Sequence, residues 1–143
     1  MDITVRQGTV LTNGDQRWIS GATLNALRHS TSTITLARSL FDLVTAFPNG
    51  FIPSGVVLGR VTSAGATQYM YGPYSDAAVD GRTTAVGFLL TDVPYDRNST
   101  ANMGAALLWQ GEVYEAFLPT GHGLDANGRA DLAAKFRLMA VGV

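Results

Sequence analysis

The stretch RTTAVGFLLTDV, Arg82 to Val93, constrains this chain more than any other. Extended, it puts Thr84, Val86, Phe88 and Leu90 on one face and Ala85, Gly87, Leu89 and Thr91 on the other. Both faces are mostly apolar, and such a strand is stable only where both sides are covered. It is therefore expected to be fully buried. Gly87 inside it predicts either a bulge or the close approach of a neighbouring backbone.

The segments around it also read as β structure. GVVLGRVT (Gly55 to Thr62) predicts a strand, TQYMY (Thr67 to Tyr71) a second, and Asp80-Gly81 a turn leading into the buried one. Downstream, AALLW and EVYEAFL predict two strands of a hairpin turned at Gln110-Gly111. Asp125 predicts the cap of a short helix from Ala126 to about Lys135, with Ala130, Leu132, Ala133 and Phe136 facing inward. FRLMAVGV then returns to strand alternation. At 143 residues, 46% of them apolar, the chain suits one domain with a real core.

Residues 1–54 differ in texture. They are rich in Thr, Ser, Asn and Gly, and their apolar anchors (Val10-Leu11, Trp18-Ile19, Leu24, Ile34-Leu36) stand far apart. Anchors this sparse cannot offset the entropy of ordering the backbone between them. The segment is expected to be an extended arm that lies on a surface, with a strand at STITLA (Ser32 to Ala37) and a helix at SLFDLVTAF (Ser39 to Phe47). Pro48-Asn49-Gly50 stops that helix, and the compact part is expected over 55–143.

The candidate chemistry is thin. Glu112 and Glu115 flank an aromatic stretch, but on a regular strand their odd separation puts them on opposite faces. A glycosidase pair has to face one substrate across roughly 5–10 Å. His29 and His122 are isolated, and His122 stands between two glycines, so both are expected to be exposed loop residues rather than catalytic or ligating ones. Asp92, Asp96 and Asn98 lack calcium-loop spacing. No cysteine is present, no phosphate-cradle or nucleophile-elbow motif occurs, and the formal charge is -1, so no enzyme, cofactor, metal, nucleic-acid or membrane role is expected. The opening MDITVRQGTV lacks the pattern of a signal peptide.

In its order of elements the chain resembles the lambda-type head decoration (capsid cement) proteins of tailed bacteriophages. The segments that carry the resemblance are IPSGVVLGRV (Ile52 to Val61), AVGFLLTDV (Ala85 to Val93) and AALLWQGEVYEAFLP (Ala105 to Pro119), and longer-armed members are similar over Thr33 to Gly55. The resemblance implies a mainly β core of the β-clip type, a small barrel or sandwich with one short helix in its C-terminal half. It implies a homotrimer that binds the major capsid protein on the outer surface of the expanded head and stabilises the shell against DNA pressure. An N-terminal arm would add strands to the shell, and three arms per trimer would gain avidity. The expected arm contacts are Trp18, Ile19, Ile34, Leu36 and Phe41. The arm's length leaves open whether it also reaches a neighbouring decoration trimer. The alternative is a virion-surface module that binds a host glycan through Trp109, Tyr114 or the tyrosines near Pro73.

Overall fold

The computed structural model describes residues 15–139, and the chain over that span is mainly β. Five strands close a barrel in the order β1 (Thr31–Leu36), β4 (Tyr71–Pro73), β3 (Val57–Arg60), β5 (Ala85–Leu89) and β7 (Met103–Leu108). β1 closes it, pairing antiparallel with β7 along its full length and parallel with β4 at Leu36 and Tyr71. Two pairs flank the barrel: β2 (Phe51–Ile52) with β6 (Val93–Pro94), and β8 (Gly111–Tyr114) with β9 (Phe136–Met139). Two short helices, α1 (Gly21–Asn25) and α2 (Ala126–Leu132), complete the fold.

The doubly apolar strand buries residues on both of its faces, as its pattern requires, but Val86 is only half-buried and packs on the side opposite Phe88. Adjacent residues on three strands part to opposite sides: Val57, Phe88 and Leu108 join one apolar cluster, and Leu58, Leu89 and Leu107 the other. The first cluster is covered by Trp18, Ile19, Val113, Leu132 and Phe136. The second is enclosed by the barrel strands, with Ile34 and Leu36 supplied by β1, and is capped by Phe41, Phe47 and Ile52. A bulge between Leu58 and Gly59 shifts the β3–β5 register, so Ala85 rejoins the side of Phe88 despite its odd separation. Gly87 allows close approach: a Cβ there would sit 2.3 Å from the carbonyl oxygen of Leu108.

The N-terminal boundary differs from the expectation. Residues 15–54 are not an arm over their described length; they are woven into both apolar clusters. Trp18, Ile19, Ile34, Leu36 and Phe41 are all buried within their own chain. Trp18 packs on Phe88 with ring centroids 5.3 Å apart and donates from Nε1 to Ser54 Oγ at 3.1 Å. Ser54 Oγ in turn donates to the carbonyl of Leu90. The surface these sparse anchors need is the chain's own barrel, and β1 supplies the strand without which that barrel stays open. The apolar anchors Val10 and Leu11 lie outside the described residues.

Three local expectations also change. Ser39 to Phe47 is not a helix: a 3-10 turn at Arg38–Leu40 gives way to irregular turns, because Asp42 Oδ1 accepts from Val44 N and Thr45 N and closes an Asx-type loop instead. That conformation buries Phe41 and Phe47 while Val44 stays 84% exposed. The second strand begins at Tyr71, after a turn in which Tyr69 takes a positive φ. Gln110-Gly111 is a corner and not a hairpin. β7 stays in the barrel, whereas β8 leaves it to pair in parallel with β9 and to bridge Ile19 through Val113. Gly111 fits the corner because any side chain there would collide with Thr23.

Helix α2 begins as expected. Asp125 Oδ1 accepts from Gly128 N at 2.7 Å, and the helix ends at Leu132, shorter than its apolar pattern suggests. Phe136 still turns inward, but from β9.

Candidate functional site

Among the described residues, three clefts stand out. The first, about 480 Å³, lies between α1 and the β8–β9 pair and is polar; Thr23, Gln110, Glu112, Lys135 and Arg137 border it. The second, about 430 Å³, is walled by Phe47, Pro48, Asn49, Phe51, Pro53 and Pro119. Two breaks in the chain, Pro48-Asn49-Gly50 and the segment after β8, meet there, so prolines and aromatic edges make a stiff and mostly apolar wall. The third, about 360 Å³, surrounds the Asp42 loop and includes the exposed Val44.

The five expected contact residues do not gather at any one of these clefts. Trp18 and Ile19 belong to the first apolar cluster, and Ile34, Leu36 and Phe41 to the second. A side chain buried this way gives its surface to its own fold. Of the five, Phe41 alone borders one of these clefts, the third, and it is buried there.

The titratable residues are engaged locally. Glu115 lies on the 3-10 turn Glu115–Phe117 after β8 and pairs with Arg129 at 2.8 Å, whereas Glu112 borders the polar cleft. The two carboxylates are thus separated by the end of the strand rather than by strand alternation. Asp92 Oδ1 accepts from Ser54 N at 2.7 Å, and Asp96 Oδ1 accepts from Asn98 N at 2.9 Å. Among the described residues, no cluster of three or more histidines and acidic side chains could hold a metal ion. No helix among them is long and apolar enough to cross a membrane.

His122 differs from its expected exposed state. It is half-buried, its Nδ1 accepts from Leu124 N at 2.8 Å, and its carbonyl accepts from Val57 N at 2.9 Å. Burial lowers its pKa from the ordinary histidine value; Arg129 lowers it further and Glu115 raises it. The flanking glycines bend the loop to permit this contact rather than leaving the ring loose.

One polar constellation went unnoticed in the sequence. The Tyr74 hydroxyl lies between Asp76 and Asp125, 2.9 Å from Asp125 Oδ1, and Asn127 Nδ2 donates to Asp76 Oδ2 at 2.9 Å. Burial first, then the two carboxylates, raises the phenol pKa far above its ordinary value. The phenol therefore keeps its proton and works as a tie between the loop after β4 and the start of α2. The residues lie about fifty apart in sequence, so no local spacing could reveal them.

The aromatic residues considered for glycan stacking are also placed. Trp109 packs against the second apolar cluster, and Lys135 Nζ lies 5.8 Å from its ring centroid. Tyr74 is buried. Tyr69 is exposed, with the Arg60 guanidinium 4.9 Å from its ring centroid. They do not form one platform. Comparison with known proteins finds no match for the chain among family models, curated proteins or solved structures.

Proposed function

We propose that this chain is a bacteriophage head decoration protein, assembling as a homotrimer on the major capsid protein at the outer surface of the expanded head. One observation supports the reading above the rest. The three segments that carry the resemblance are dispersed in sequence, yet two of them supply barrel strands that pair directly with the third. β3, within the segment Ile52 to Val61, pairs with β5, within Ala85 to Val93, and β5 pairs with β7, which runs into Ala105 to Pro119. The likeness is therefore to one packed unit and not to scattered short matches. A closed barrel also leaves no open sheet edge around its circumference, which suits a part that bears load without aggregating.

The reading changes in one respect. Trp18, Ile19, Ile34, Leu36 and Phe41 could touch a shell only if the core opened, so the arm role is assigned in this reading to residues 1–14. The test is solution mass, followed by binding to expanded heads that lack decoration protein. A trimer that binds saturably, and that loses affinity on removal of residues 1–14, is the expected result. A monomer that leaves such heads bare overturns the proposal.

A further inference from the structure

The sequence contains Asn-Gly three times, at 13–14, 49–50 and 127–128. An Asn-Gly pair can modify itself. The glycine's backbone nitrogen, after losing its proton to base, attacks the asparagine Cγ; the Cγ–nitrogen bond of the amide breaks and ammonia leaves. The cyclic imide then takes up water. Attack at the side-chain carbonyl gives aspartate, and attack at the main-chain carbonyl gives isoaspartate, so the net change is one water in and one ammonia out. Glycine favours the step because it has no Cβ to crowd the attacking nitrogen. The structure must then leave that nitrogen free and the asparagine able to turn.

The two described pairs differ on both requirements. At Asn127–Gly128 the nucleophilic nitrogen already donates to Asp125 Oδ1 at 2.7 Å, and the Asn127 amide donates to Asp76 Oδ2 at 2.9 Å. Both residues sit in the first turn of α2, so attack needs that turn to open. At Asn49–Gly50 the asparagine is exposed, and Gly50 N makes no hydrogen bond to any described residue. Gly50 has a φ of +89°, and nothing lies within 4 Å of where its Cβ would be. The carbonyls on either side are held: Pro48 O accepts from Arg97, and Gly50 O accepts from Tyr95 N at 3.0 Å. The frame is fixed while the reacting atoms stay open to solvent.

We infer that Asn49–Gly50 is a self-modification site, converting without an enzyme to aspartate and isoaspartate while Asn127–Gly128 is protected by the fold. The inference is independent of the decoration reading. Its product has a defined place, because Asn49 borders the apolar cleft of Phe47, Pro48, Phe51, Pro53 and Pro119. Conversion puts a carboxylate on that wall, and the isoaspartate form adds a methylene to the main chain two residues before β2. The Phe51–Pro94 and Ile52–Val93 pairing then has to shift.

The test is incubation of the full chain in mildly alkaline buffer, with peptide mapping by mass spectrometry and enzymatic methylation of isoaspartate. Asn49 is expected to convert at least roughly tenfold faster than Asn127, the factor that a charge-assisted hydrogen bond at Gly128 N imposes on opening. In urea the two sites should react at similar rates, because both are then Asn-Gly pairs free of the fold, although their flanking residues differ. Asn49→Gln should abolish the fast phase. Equal rates in the folded chain, or a rate difference that survives unfolding, would overturn the inference. The pair at 13–14 lies outside the described residues and is mapped as its own peptide.

Discussion

Replacing Trp18 separates an arm residue from a core residue. In the fold its indole is fully buried, packs on Phe88 and donates to Ser54. Truncating a buried Trp to alanine typically costs about 3–5 kcal/mol. Loss of the ring pair and of the Ser54 hydrogen bond, each worth about 1 kcal/mol, places Trp18→Ala toward the upper part of that range. With a urea dependence of about 2 kcal/mol per molar, a loss of about 4 kcal/mol lowers the midpoint by about 2 M. That loss is a large fraction of a domain's stability of about 5–15 kcal/mol. Trp18→Phe keeps the apolar contact and loses the indole N–H, so its cost should be less than half as large. The assay is equilibrium urea unfolding followed by far-UV circular dichroism, which does not depend on the deleted fluorophore. An unfolding free energy for Trp18→Ala within about 0.5 kcal/mol of the parent, the range of surface substitutions, would refute the core assignment and restore the arm.

Three further outcomes are expected. Deleting residues 1–50 removes β1, Trp18, Phe41 and Phe47 and should leave no cooperative thermal transition, whereas deleting 1–14 should preserve one; a cooperative fold for 51–143 alone would show that the barrel closes without β1. Gly87→Ala should cost about 1–3 kcal/mol in denaturant unfolding, because its Cβ would press on the Leu108 backbone and force β5 from β7; an unchanged midpoint would mean that the strands separate freely. His122 has a lowered pKa, so its contribution to stability is complete above the unfolded value of about 6.5 and is lost as pH falls through the folded value. His122→Asn, which can keep an acceptor for Leu124 N, should flatten stability against pH in that window, and an unchanged slope would assign the dependence to other groups.

The strands that pack on both faces were the most legible part of the sequence. Val57-Leu58, Phe88-Leu89 and Leu107-Leu108 are adjacent apolar pairs, and each pair divides between the two clusters. The cap at Asp125 was legible for another reason: its partner, Gly128 N, is only three residues away. Local patterns failed where a distant partner decided the structure. EVYEAFL alternates like a hairpin strand, but β8 pairs with β9 and with Ile19, and neither partner is visible in its own spacing. Leu40, Leu43, Val44 and Phe47 have helical spacing, yet the Asp42 carboxylate satisfies two backbone amides locally and Phe47 reaches the core through a turn. The Tyr74 tie joins the loop after β4 to the start of α2 and has no local signature.

The N-terminal third shows why a sound energetic argument can still select the wrong surface. Widely spaced anchors cannot form a core by themselves, and that premise survives: between Trp18 and Phe41, residues such as Leu24, Thr33 and Thr35 face solvent. What the premise leaves undetermined is whose surface completes the core. The segment from Gly55 onward looked self-sufficient because its strands are apolar on both faces, but that same property gave it more apolar surface than it could cover. Phe88 needs Trp18, and Leu58, Leu89 and Leu107 need Ile34 and Leu36. Excess apolar surface downstream and sparse anchors upstream are complementary deficits. When one chain carries both, burial within the molecule has no association entropy to overcome, unlike docking on a shell. The intramolecular solution is therefore preferred.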